Sequence, residues 1–286
     1  MRKSIISILT VMVLAGLAWG GVFYWQNLRG IWPALQEPPR DITGLLPPPV
    51  GTEGPLFPAF NQTEMPLKLP AGFAISVFAK GLGGPRVMAW APDGGLLASV
   101  PSEGKVVRVH DTDGDGIADV AATVVGGLNR PHGLAWKCRE ANEPCTLYIA
   151  ESDKVASYDY RDGKAVNKRK IIDLPDGGRH FTRTIMFTPH LLSTKGAGFM
   201  PSSNEEKLLI SVGSSCDVCN ESDWRRAKIL VSNADGSDLK EYAKGLRNSV
   251  FMAIHPVTGK IWATEMGRDW LGDDAPPDEI NIVEEG

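Results

Sequence analysis

The stretch GLRNSVFMAIHPVTGKIWAT, residues 245–264, sets a glycine lead-in, an apolar strand, a turn and a second strand into one unit. The same order recurs in GLGGPRVMAWAPDGGLLAS from Gly81 and in GLNRPHGLAW followed by TLYIA from Gly127. A weaker copy starts at Gly177, as GGRHFTRTIMF followed by KLLISV, with an insertion between its two strands. Copies about 45–65 residues apart match four-stranded propeller blades with loop insertions. The fold expected over residues 70–286 is therefore an all-β propeller of about four blades, with an irregular sandwich as the competing arrangement.

The texture between the copies agrees. FAISVFA (73–79), LLASV (96–100), KVVRVH (105–110), TLYIA (146–150), KVASYDY (154–160), KLLISV (207–212), AKILVS (227–232) and KIWAT (260–264) are short β-type runs. Glycine- and aspartate-rich turns separate them, and no amphipathic helical period competes. The net charge of -4 gives no basic surface for phosphate, which excludes nucleic acid as the expected partner.

Upstream of this body the chain changes twice. Arg2 and Lys3 precede an uncharged, mostly apolar run from Ile5 to Trp25. As a helix this run has the length for a hydrocarbon core of about 30 Å. Residues 1–26 are thus expected to be a transmembrane signal anchor, or a cleaved signal peptide. The expected location is the bacterial cell envelope, on the periplasmic side of the inner membrane, with the membrane itself as a partner. Residues 27–69 form a proline-rich spacer of polyproline II character.

An oxidising compartment suits four cysteines. Cys138 and Cys145 bracket a polar loop and are expected to pair. Cys216 and Cys219 form a lone C-x-x-C without the helix or the further ligands that redox catalysis or zinc would need, leaving a local disulfide or two loop thiols.

Among residues that could carry chemistry, His180 stands just before a strand, and imidazole can take a proton near neutral pH. A surface-loop histidine is the competing reading. Arg183 follows it and suits either an anionic ligand or an acidic partner. Arg247 and Asn248 open the last repeat copy, at the post read as equivalent to Pro131 and His132, and the arginine fork suits carbonyl and carboxylate oxygens. His110, His190 and His255 show no ligand spacing. Asp111, Asp113, Asp115 and Asp119 stand at calcium-loop spacing, with Gly116 at the sharp turn. Ala122 replaces the bidentate acid of an EF-hand, so a partial calcium loop and a solvated acidic turn both stay open. A second acidic run, with Glu265, Asp269, Asp273, Asp274, Asp278 and Glu279, also offers hard-cation oxygens.

Seven stretches in shared order carry a family resemblance: LPAGFAISVFAKGL, DGDGIAD, GLNRPHGLAW, GGRHFTRTI, SVGSSCDVCNESDWRRAKIL, GLRNSVFMAIHP and GRDWLGDDAPPDEIN. Over residues 66–286 the chain resembles the glucose/sorbosone dehydrogenase family, soluble quinoproteins that use pyrroloquinoline quinone (PQQ), and within it the L-sorbosone dehydrogenase-like branch. The resemblance implies a six-bladed propeller with PQQ and calcium in its funnel, so the four blades here imply a C-terminal truncation. It implies oxidation of a sugar or related aldehyde substrate, with a respiratory-chain electron acceptor. His180 matches the family's catalytic histidine, Arg247 the arginine facing the quinone carbonyls, and Asn248 its cofactor-contacting neighbour. Arg183 and Met266 are further candidates for cofactor contact. Met266, Gly267 and Arg268 match the segment whose carbonyls hold calcium, where glucose dehydrogenases read Gln-Gly-Pro; this departure argues against glucose specificity. A non-catalytic binding propeller and a calcium-dependent propeller lactonase are the alternatives.

Overall fold

The computed structural model describes residues 2–23, 60–138, 145–188, 206–269, 271 and 276–286. Most of the proline-rich spacer, His190, Asp273 and Asp274 lie outside them. The described β-structure is a four-bladed propeller-like series of antiparallel sheets. A short β1 (Phe60–Asn61) runs parallel to β2 (Ala74–Ile75), so the end of the spacer lies along the body.

The first blade is β3 (Met88–Trp90), β4 (Leu96–Val100), β5 (Lys105–His110) and β6 (Val120–Val125), in chain order. The second is β7 (Leu134–Lys137), β8 (Thr146–Ala150), β9 (Lys154–Arg161) and β10 (Lys164–Asp173). The third is β11 (Ile185–Phe187), β12 (Leu208–Val212), β13 (Lys228–Ser232) and β14 (Lys240–Lys244). The last has three strands, β15 (Met252–Ile254), β16 (Ile261–Glu265) and β17 (Glu279–Val283).

Face-to-face packing of blades explains the composition of the inner strands. A strand covered on both faces has no reason to alternate apolar with polar. Along β8, Leu147 and Ile149 pack with Leu97 and Val106 of the first blade, whereas Tyr148 and Ala150 pack with Leu208 and Ile210 of the third. Along β12, Leu209 turns the other way, onto Ile261 and Ala263 of the last blade. The outer strand β10 has the opposite character. Its sequence KAVNKRKIID is mostly exposed, as expected of an edge that meets water on one side. The four glycines that open the repeat copies, Gly81, Gly127, Gly177 and Gly245, all have φ near +70 to +81°. The lead-in turn requires that left-handed backbone, which a side chain would strain.

The N-terminus departs from expectation. A helix, α1, does form over Arg2–Phe23. Among the described residues, however, no helix is long and apolar enough to cross a membrane. The transmembrane anchor, the membrane as partner and the inner-membrane placement that rested on it are corrected accordingly.

Candidate functional site

The ladder gives each blade a common register. The carbonyls of Val87, Gly133, Thr184 and Phe251 accept from the amides of Ser99, Ala150, Ser211 and Thr264, one pair per blade. Counting back four residues from each carbonyl reaches Gly83, Asn129, His180 and Arg247. His180 and Arg247 thus hold the same post on neighbouring blades. The reading that matched Arg247 to Pro131 is corrected by this register: its counterpart in the second blade is Asn129, and His132 instead shares a post with Arg183.

Two side chains, those of His180 and Asn248, pack around Gly213. A methyl placed there would lie 2.7 Å from the His180 Cβ and closer still to the Asn248 Oδ1. Asn248 Oδ1 also accepts from the Thr182 hydroxyl at 3.4 Å. The His180 ring is buried, with Nδ1 3.0 Å from the Ser214 carbonyl and 2.9 Å from the Ser214 Oγ. A carbonyl only accepts, and the Ser214 hydroxyl donates its own proton to the Cys216 carbonyl at 2.7 Å. Nδ1 therefore carries the ring proton, and Nε2 is left as the basic nitrogen. Burial pushes the imidazole pKa down, and the Arg247 charge pushes it the same way, against the Ser214 bond. At pH 7 the ring is neutral and able to accept a proton.

Arg247 is held from three sides. Its Nε donates to the Asp217 carbonyl at 2.9 Å, Nη2 to the Asp217 carboxylate at 2.5 Å and to Asp269 at 3.0 Å, and Nη1 to the Met266 carbonyl at 3.2 Å. Asp269 also pairs with Arg179 at 2.7 Å, and its amide donates to Asp217. Burial would raise the Asp217 pKa, but the Asp269 amide and Arg247 more than offset it and keep it ionised. Arg268 stands 4.0 Å from the other Asp217 oxygen. Arg179, Arg247 and Arg268 thus gather around the carboxylates of Asp217 and Asp269.

Other candidates have different surroundings. Arg183 is fully buried and donates to the carbonyls of His180 (3.0 Å), Thr182 (2.8 Å) and Pro175 (2.7 Å). Burial, with the Arg226 charge, lowers its pKa to about 10, so it stays charged at neutral pH. Arg226 ties the carbonyls of Pro175, Asp176 and Gly177. Together they staple the loop that carries His180. Met266 lies against Asn248, with Nδ2 3.8 Å from its sulfur. The Gly267 amide donates to Asp278 at 2.9 Å. Glu265 is buried, and accepts from the Asn248 amide at 2.8 Å and the Ser249 hydroxyl at 2.8 Å. The acidic run is thus dispersed over separate tasks.

Oxygen atoms of Asp111, Asp113 and Asp115 lie within 4.8 Å of one another, on the hairpin joining β5 to β6. Asp119 takes another role, accepting from the Thr112 amide and hydroxyl. That hairpin belongs to a different blade from His180 and Arg247. A cavity of about 580 Å³ beside it is lined by residues 62–64, 76–80 and 115–118, so it too is separate from the histidine. Cys138 pairs with Cys145, and Cys216 with Cys219. Glu221 joins the latter two in a small cluster, but sulfurs bonded to each other supply no thiolate for a metal.

The antiparallel sheets define a blade-built, propeller-like scaffold. The chain belongs to the TrAA12-like family, which it matches over residues 67–284. The Trichoderma reesei Carbohydrate-Active Enzymes Family AA12 structure is 25% identical, with a TM-score of 0.55 over 73% of this chain and 54% of that one. The pyranose dehydrogenase PQQ domain of Coprinopsis cinerea is 19% identical, with a TM-score of 0.61 over 80% of this chain and 58% of that one. An uncharacterised protein of Borreliella burgdorferi is 28% identical over 235 residues, 79% of this chain and 56% of that protein. The chain therefore spans little more than half the length of these relatives. The similarity reaches the PQQ-dependent dehydrogenase and AA12 proteins as a group, through structure and weakly through sequence, and not the sorbosone branch.

Proposed function

We propose that this chain forms the histidine- and arginine-bearing part of a PQQ-dependent oxidoreductase that oxidises a sugar or related alcohol or aldehyde hydrate. One observation carries the reading: Ser214 holds His180 through Nδ1, which leaves Nε2 as the basic nitrogen, at the same post on its blade that Arg247 holds on the next. A base so oriented takes the proton of a substrate hydroxyl, within the range of about 10²–10⁴-fold that general bases contribute. PQQ, when bound, supplies the two-electron acceptor. Arg247 and Asn248 would hold it, and the guanidinium charge of Arg247 suits its carbonyl and carboxylate oxygens. The Met266 carbonyl, which keeps a second lone pair besides the one facing Arg247, and the Gly267 carbonyl would hold the accompanying calcium. The reading extends calcium to the 111–115 hairpin, where the Gly114 and Gly116 amides fix the Asp111 carboxylate beside those of Asp113 and Asp115.

The test is a titration of the full-length protein with PQQ and calcium, followed by dye-linked turnover on a panel of aldoses, sorbosone and simple polyols. Binding with turnover is expected, and His180→Gln should lower kcat by about 10²–10⁴-fold while still binding the quinone. A protein that neither binds PQQ nor turns over any of these substrates sinks the reading.

A further inference from the structure

The Cys216–Cys219 loop has no part in the chemistry above, yet both site residues lean on it. Asp217, inside the disulfide ring, makes two of Arg247's hydrogen bonds, one from its carboxylate and one from its own carbonyl. Ser214 orients His180, and its hydroxyl is committed to the carbonyl of Cys216. If that carbonyl moved, the freed Ser214 hydroxyl could donate to Nδ1 in competition with the Ser214 carbonyl, which accepts from it, and so populate the other ring tautomer. The loop is further tied at its base, where the Ser215 amide donates to Glu221 at 2.7 Å and the Ser215 carbonyl accepts from the Arg179 amide at 2.7 Å. Closure of four residues into one small ring is what keeps Asp217 and the Cys216 carbonyl in fixed relation.

We propose that the Cys216–Cys219 disulfide is a positioning element, in which Asp217 aims Arg247 and the Cys216 carbonyl, through Ser214, fixes the His180 tautomer. This deepens the oxidoreductase reading and rests on it for its purpose, but not for its test. Asp217 touches neither substrate nor quinone in this account; it acts through Arg247.

Two variants of the full chain separate the two links. Asp217→Asn keeps the disulfide and removes the charge, and Cys216→Ser with Cys219→Ser opens the ring. The first readout is modification of Arg247 by phenylglyoxal, followed by peptide mass. Its side chain is 13% exposed and doubly paired, so it should react slowly in the wild type and at least tenfold faster in both variants. The second readout is the pair of ¹⁵N shifts of the His180 ring. The wild type should report the Nδ1–H form, and the double variant a mixture, while Asp217→Asn leaves the tautomer unchanged. PQQ affinity, measured without substrate, should fall at least tenfold in both variants. A wild type that binds no PQQ defeats the functional reading alone, because arginine reactivity and tautomer still decide the positioning role. Equal Arg247 reactivity in wild type and Asp217→Asn, or an unchanged tautomer in a folded double variant, overturns it. Should the double variant fail to fold, Asp217→Asn with its disulfide intact carries the decision.

Discussion

Gly213→Ala offers a direct test of how His180 and Asn248 are placed. The backbone of Gly213 is outside the left-handed region, so alanine meets no dihedral penalty and the effect is steric. The new methyl would lie 2.7 Å from the His180 Cβ, against an ordinary carbon–carbon contact of about 3.7 Å. It would press harder still on the Asn248 Oδ1. Neither neighbour can swing away freely, because His180 is pinned by Ser214 and Asn248 by Glu265 and Thr182. A displacement of about 1 Å must be absorbed by backbone. Overpacking of this kind costs about 2 kcal/mol, hence roughly 4–8 °C in Tm for a body of this size. A shift of about 1 Å at a reacting group lowers turnover on the order of 10²-fold. Thermal unfolding and the ¹⁵N shifts of His180 read the first effect without any assumption about substrate, and dye-linked turnover reads the second. An unchanged Tm together with unchanged His180 shifts would refute the packing described here.

Three further outcomes follow from buried groups. Burial, then the charges of Arg86 and Arg183, lowers the His132 pKa to about 4, and neither ring nitrogen has a hydrogen-bond partner among the described residues. Below pH 6.5 the unfolded chain binds a proton that the folded chain refuses, so stability should be lost as pH falls from about 6.5 to about 4, by about 3 kcal/mol. His132→Leu should remove that loss, and parallel urea-unfolding profiles for the two proteins across this range would count against it. Arg183→Met leaves the His180 and Thr182 carbonyls without their buried donor, while Pro175 keeps Arg226, and should destabilise by about 3–5 kcal/mol, read by chemical denaturation; a change under about 1 kcal/mol would contradict the staple. Replacing Cys138 and Cys145 together by Ser opens a short loop and should lower stability by about 2.5 kcal/mol, measured the same way, with blade spectroscopy unchanged and an undiminished Tm as the contrary result.

The repeat was legible because a backbone demand and a packing demand coincide in it. Each copy opens on a glycine whose left-handed turn admits no ready substitute, and the second strand of the first three copies, β4, β8 and β12, is buried on both faces. Inner strands such as TLYIA and LLISV therefore stood out, with Leu96–Val100, Lys105–His110 and Thr146–Ala150 matching their predicted limits. Outer strands did not. In β10 solvent removes the need for apolar residues, and in β6 and β14 the runs VAATVV and KEYAK carry no period of their own. At the site, His180, Arg247 and Asn248 were visible as chemistry before a strand. Asp217 and Ser214 were not, since the loop after β12 that carries them reaches back to the lead-in of its own blade at His180 and across to that of the fourth at Arg247. The one signal for Asp217 was its place between two cysteines.

The register explains why a fold likeness alone stops short of an activity. At the shared post the first and second blades carry Gly83 and Asn129, where the third and fourth carry His180 and Arg247. The scaffolding around the post is alike in kind: Glu151 accepts from the Asn129 amide at 2.7 Å much as Glu265 accepts from that of Asn248. Glu151 is then neutralised by Lys154 and Lys168, while Glu265 has only amide and hydroxyl donors. Burial accordingly raises the Glu265 pKa. The blades thus repeat a way of holding a loop, and the chemistry enters through one side chain per blade and the charges set beside it. A relative that keeps the sheets but places Asn or Gly at the posts of His180 and Arg247 would share this architecture without the two side chains on which the proposed activity rests.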